Sequence, residues 1–199
     1  MIREKKPAKL VEIGSGGSTQ IIASALKMNF LDNSRKSQLI SIEPYPRDFL
    51  RKLSTDDRDF MEFSLIEQKV QEIDLSIFES LQENDIIFVD SSHVFKPGSD
   101  VEFEFLQIYP NLKKCVLVHI HDIFFPYDYP IEWNLKESRY WNEQYFLETF
   151  LQFNRKFEIL ASLSMVSHQE NSVFLDTIDV YDKSRLPGSF WMVAIDRSI

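Results

Sequence analysis

Apolar residues in this chain gather in short runs, separated by stretches of helical period. Lys9–Ile13 predicts the first strand, and Thr19–Phe30 a helix with Ile21, Ile22, Ala25 and Leu26 on one side. Gln38–Glu43 predicts a second strand, closed by Pro44 and Pro46, and Asp48–Leu53 is helical. Leu65–Val70 reads as the third strand and Leu75–Leu81 as a short helix. Asp85–Asp90 is a buried strand built on Ile86, Ile87, Phe88 and Val89. Asp100–Tyr109 is a helix ended by Pro110, and Cys115–His121 another buried strand. Asn142–Asn154 is an amphipathic helix, followed by strands at Phe157–Leu163 and Phe190–Ile195. This alternation predicts an α/β fold: a mostly parallel sheet of about seven strands with helices on both faces. Ligands in such sheets meet the carboxyl ends of the strands, near the point where strand order reverses.

The junction of the first strand and helix narrows the reading. Val11-Glu12-Ile13-Gly14-Ser15-Gly16-Gly17 places three glycines in four positions. Glycine lets the backbone turn sharply and lets a ligand approach it. The helix start adds unpaired N–H groups and a positive dipole end. Glu12 disfavours a phosphate there and suits a ligand with hydroxyls or positive charge. Other polar residues fall at the same edge: Glu43 after the second strand, Asp90 and His93 after the fourth, His121 and Asp122 after the fifth. Glu43 reads as a clamp on ribose hydroxyls.

The 199 residues suffice for a single domain, and a net charge of -9 leaves no basic footprint for nucleic acid or an anionic membrane. Cys115 is the lone cysteine, so no disulfide forms within the chain, and its apolar surroundings suggest core. The chain opens without a signal peptide and lacks a run of membrane-helix length, so a cytoplasmic protein is expected.

Glu-x-Gly-x-Gly-Gly after the first strand, with acids after the second and fourth, resembles class I methyltransferases that use S-adenosylmethionine, a Rossmann-like fold. Phe88-Val89-Asp90-Ser91-Ser92-His93 and His119-Ile120-His121-Asp122-Ile123-Phe124-Phe125-Pro126 look like the group associated with sugar modification, related to macrolide-sugar O-methyltransferases. The resemblance implies that Gly14, Ser15, Gly16 and Gly17 pass near the cofactor's methionine part, with Glu12 near its amino end. Glu43 would hold the ribose, Val70 and Gln71 would flank the adenine, and Asp90 and Ser91 would lie near the sulfonium. Such enzymes usually carry helices before the first strand. Here about ten residues precede the motif, so cap helices are expected to be missing from the single 1–199 domain.

Methylating a hydroxyl requires alignment and removal of a proton. His93, three residues after Asp90, is the expected base, with a helix-capping or packing role as the alternative. A second mechanism has Asp90 and Asp122 holding magnesium, with His121 in place of a missing ligand. A third builds an iron site from two histidines and a carboxylate, which would make the protein an oxygenase. His119 can equally be a satisfied core residue. A catalytically idle domain that binds a cofactor or partner is a further reading. The stretch Ile123–Trp133 has five aromatics and two prolines, and is expected to be an irregular loop that walls the acceptor site or covers the cofactor. Tyr140–Tyr145 and the connection His168–Ser189 are expected to add to that wall or to reach a partner. The expected acceptor is a sugar or other small molecule, and a homo-oligomer is expected if a second subunit supplies the cover.

Overall fold

A computed structural model describes residues 1–55, 59–169 and 186–195. Seven strands form one sheet in the order β3-β2-β1-β4-β5-β7-β6. They are β1 (Lys9–Ile13), β2 (Ser37–Ile42), β3 (Met61–Ile66), β4 (Ile86–Val89), β5 (Leu117–His121), β6 (Phe157–Ser162) and β7 (Ser189–Ala194). The first five pair in parallel, and β7 runs antiparallel to both β5 and β6. The chain steps outward from β1 through β2 to β3, then returns to place β4 on the other side of β1. Strand order therefore reverses between β1 and β4, which sets the ligand edge of the sheet.

Alternation along the strands divides the core between two faces. Leu10, Leu39, Ile86 and Leu117 face one way and pack on Ile22 and Leu26 of α2 (Gly17–Asn33). Val11, Ile13, Ile40, Ile42, Ile87, Val89, Val118 and Ile120 face the other. There they meet Phe78 of α4 (Ser76–Glu79) and Leu147 of α8 (Glu143–Leu151). A helical stretch that starts as α5 (Asp100–Phe103) adds Val101, Phe105 and Tyr109 to that face. Strands covered on both sides read as continuous apolar runs, which is why β1, β4 and β5 stood out in the sequence.

The expected third strand lies four residues too late. β3 pairs only with β2, so it is an edge, with Glu62 and Ser64 exposed between Met61, Phe63 and Leu65. Val70 instead begins a tight turn, Val70–Glu72, and is buried. The helix at Asp100 does not end before Pro110. It continues through a π-helical turn (Glu104–Ile108) into α6 (Tyr109–Asn111), whose first turn accommodates the proline. Four further helices complete the described structure: α1 (Ile2–Lys5), α3 (Asp48–Thr55), α7 (Ile131–Leu135) and α9 (Leu163–Gln169). Of these only α3 was expected; α7 falls at the end of the expected loop and runs past it, and α9 begins where the sixth strand was expected to end. Most of the connection expected to reach the site, residues 170–185, lies outside the described residues. Among the described residues no helix is long and apolar enough to cross a membrane.

Candidate active site

Gly14 is the point where three strands meet. Its N–H donates to Ile42 O at 3.0 Å, and the neighbouring Ile13 O accepts from Asp90 N–H at 2.8 Å. The φ of Gly14 is 77°, and a Cβ there would lie 1.8 Å from Asp90 O. Only glycine permits both this backbone shape and this approach. Glu43, just past β2, reaches back over the turn: its Oε2 accepts from Ser15 N–H at 3.2 Å and its Oε1 from Tyr45 N–H at 2.9 Å. Gln71 closes the far side by donating to Gly98 O at 3.0 Å.

Between these groups lies a cleft of about 450 Å³, lined by Gly14, Glu43, Val70, Gln71, Asp90 and Ser91 together with Lys69, Lys96, Ser92 and Asp100. The first six are residues the sequence pointed to. Ser15, Gly16, Gly17 and Glu12 do not border the cleft. Gly16 and Gly17 turn into α2, where an added Cβ would meet no atom within 4 Å, so the backbone there faces open space. Glu12 is fully buried on the α2 side. Its carboxylate accepts from Ser18 Oγ (2.8 Å), Thr19 Oγ1 (2.8 Å) and Ser41 Oγ (2.7 Å). Burial pushes its pKa up and those hydroxyls pull it part of the way back. In this structure Glu12 pins the glycine turn to the start of α2.

His93 departs from the role expected of it. Its φ is 59°, its ring is buried, and it lies against Trp141 with ring centres 4.2 Å apart. Nδ1 is 2.8 Å from Glu143 Oε2, and Nε2 is 3.4 Å from Asp90 Oδ1. Burial alone would lower its pKa, but Asp90 and Glu143 outweigh burial and push it up to about 10. An imidazolium held between two carboxylates already carries the proton a base must accept. This geometry favours His93 as a charged clamp between the two acids. Asp90 stays below the usual carboxylate range: burial works against this, and His93 and His121 more than offset it.

Two acids behind this clamp escaped the sequence reading. Glu143 opens α8 and is fully buried. Glu104, also fully buried, lies within reach of Ser91 Oγ at 3.3 Å. Burial, with Glu143 and Asp100 nearby, raises its pKa well above normal, which favours the neutral acid. The signal for Glu104 was present: Val101, Glu104, Phe105 and Ile108 follow helical spacing, which puts a carboxyl in an apolar stripe.

The expected metal centres are not assembled. Among the described residues no three His, Cys, Asp or Glu side chains form a group that could hold a metal ion. His121 turns one nitrogen, Nδ1, toward both Asp122 Oδ1 (3.2 Å) and Asp90 Oδ1 (3.6 Å). Asp122 beside it raises its pKa. That favours a proton between the acids, which corrects the magnesium set Asp90, His121 and Asp122. His119 stacks on Phe88 at 4.1 Å and its Nε2 is 2.9 Å from Ser189 Oγ. Burial pushes it down to about 3, so it is neutral core, which corrects the two-histidine iron site.

The aromatic loop is packed rather than free. Phe124 and Tyr129 are buried. Gln144 of α8 accepts from Phe124 N–H and donates to Tyr127 O, each at 3.1 Å. Trp133 and Trp141 stand edge to face at 5.0 Å, and the Arg139 guanidinium lies over both rings. These rings pack into a wall beside His93.

Residues 11–123 match a family described as Methyltransferase domain, which is more than half of the chain. An uncharacterized protein of Archaeoglobus fulgidus is 43% identical over 94 residues, which make up 47% of this chain and 38% of that protein. The chain thus matches well under half of that relative's length. The SAH-bound methyltransferase PaMTH1 of Podospora anserina is similar in fold over 98% of this chain and 75% of its own, with 21% identity and a TM-score of 0.53. A structure of cmcI-D160 with Mg and SAM covers 98% of this chain and 68% of its own at 16% identity and a TM-score of 0.49. The matched residues run from β1 to just past β5 and include every residue lining the cleft, and by that match the chain belongs to the methyltransferase-domain family.

Proposed function

We propose that this chain binds S-adenosylmethionine in the cleft at the carboxyl ends of β1, β2 and β4 and transfers its methyl group to an oxygen of a sugar or other small molecule. The observation that carries the reading is the convergence of Gly14, Glu43, Val70, Gln71, Asp90 and Ser91 on one cleft at the reversal of strand order. The open backbone at Gly16 and Gly17 fits the methionine portion of such a ligand. Glu43 fits ribose hydroxyls, since its oxygens accept from backbone N–H groups and keep lone pairs for more donors. When bound, the cofactor supplies an activated methyl on a sulfonium. Asp90 is placed to hold the acceptor hydroxyl in line and to take its proton as the carbon–oxygen bond forms and the methyl carbon–sulfur bond breaks, leaving a neutral thioether. The wall of Trp133 and Trp141 offers ring faces of the kind that stack on a sugar.

Calorimetric titration with S-adenosylhomocysteine tests the reading directly. The wild-type chain is expected to bind, and Glu43→Ala to bind about 10- to 100-fold more weakly through lost hydroxyl hydrogen bonds. Absence of binding by the wild type would sink the cofactor assignment. Equal affinity in the variant would remove Glu43 from the site.

A further inference from the structure

A line of charges runs from the cleft into the core. Asp90 borders the cleft and is partly exposed, while the His93 and Glu143 side chains behind it are 5% and 0% exposed. Each ring nitrogen of His93 faces a carboxylate oxygen, so both need hydrogens. The three groups together carry one positive and two negative charges. Without Glu143, Asp90 would face the cleft as half of a neutral pair.

Glu143 is costly where it stands. A buried carboxylate gives up its hydration, and its Oε1 has no hydrogen-bond partner. It does not border the cleft. A neutral side chain of the same shape would fill the space at lower cost. Burial of an acid directly behind the cleft therefore points to charge and not packing. We infer that Glu143 is a positioning residue that keeps the β4 edge of the cleft negative, so that the site favours the sulfonium form of its ligand over the thioether product. This inference rests on the reading that S-adenosylmethionine occupies the cleft.

The chemistry makes the distinction sharp. S-adenosylmethionine and S-adenosylhomocysteine differ by one methyl group and one positive charge. A charge buried behind Asp90 is poorly screened by solvent and acts over several ångströms. The other ionisable groups facing His93 are Glu104, Asp122 and His121, while Asp100 faces Glu104 and Glu143 and borders the cleft. Glu104 is a neutral acid and adds no charge, while His121 and Asp122 pair with each other. Asp100 adds a second carboxylate to the cleft wall, and Glu143 is the buried acid that offsets the charge of His93 behind Asp90. Loss of the methyl group would at the same time remove the charge that holds the ligand, which favours product release.

The test titrates the full chain separately with each of the two ligands. Glu143→Gln is expected to lower affinity for S-adenosylmethionine about fivefold or more relative to S-adenosylhomocysteine. Glu143→Asp should restore much of the wild-type ratio. An equal loss for both ligands, or an unchanged ratio, overturns the inference and leaves Glu143 a structural residue. If Glu143→Gln does not fold, the double variant His93→Gln with Glu143→Gln serves instead. It leaves Asp90 as the one charge of the three, so the wild-type ratio is expected. A ratio shifted toward S-adenosylmethionine would mean that Glu143 never contributed its charge. Wild-type chain that binds neither ligand rejects the cofactor reading itself, a separate failure.

Discussion

Gly14→Ala is expected to destabilise the fold by about 3 kcal/mol or more and to abolish cofactor binding. The added methyl would sit 1.8 Å from Asp90 O and 2.7 Å from its carbonyl carbon, both backbone atoms that cannot rotate away. The φ of 77° adds strain for any L side chain. Relief requires β1 and β4 to separate at the point where their ends frame the cleft. Gly16→Ala provides the contrast: its methyl meets no atom within 4 Å, so stability should stay near wild type. A branched residue at Gly16 should instead obstruct the ligand. Urea unfolding of both variants checks the pair, and a Gly14→Ala chain as stable as wild type would refute the geometry.

The second large effect is on the pH dependence of stability. The pKa of His93 is raised in the fold from 6.5 to about 10. The folded state therefore holds this proton more tightly than the unfolded chain does. The resulting stability is fully present below pH 6.5 and is lost as pH rises toward 10. For a side chain only 5% exposed, the full effect is on the order of 4 kcal/mol. Glu12, Glu143 and Glu104 are also raised, so their contributions begin to fall as pH rises past 4.5, and for Glu104, raised well above normal, the fall extends beyond the acid end of the range. Unfolding monitored by tryptophan fluorescence at pH 7, 8.5 and 10 should show a steady loss in the wild type and a much flatter profile in His93→Gln. Parallel profiles would show that His93 is not held as an imidazolium.

The sequence disclosed the residues whose position follows from one strand. Gly14, Glu43 and Asp90 each end a run that must be buried on both faces, so their place at the ligand edge could be read directly. β3 was misplaced because an edge strand shows alternation, and Met61, Phe63 and Leu65 make a weaker signal than an unbroken apolar run. Val70 reached the cleft as expected, but through a tight turn and not a strand. The state of His93 was not legible. It depends on Glu143, fifty residues away, and no local pattern links a histidine after β4 to an acid opening α8. The same holds for the histidines of β5. Their spacing suggested metal ligands, while packing on Phe88 and pairing with Asp122 gave each a different partner.

The antiparallel strand β7 also constrains the order in which this fold can be completed. It comes after β6 in the chain yet lies between β5 and β6, and among the described residues β6 pairs with no other strand. A chain leaving the ribosome can join β3, β2, β1, β4 and β5 in advance. Until Ser189–Ala194 arrives, the outer edge of β5 remains unpaired and β6 has nowhere to dock. One late insertion then closes two seams at once, a long-range step of the kind that is slow and open to misassembly. A nascent chain halted before Ser189 would display Leu117–His121, whose Leu117, Val118 and Ile120 are buried in the finished fold, as a bare template for other chains. Protection during synthesis therefore depends on how quickly β7 is made.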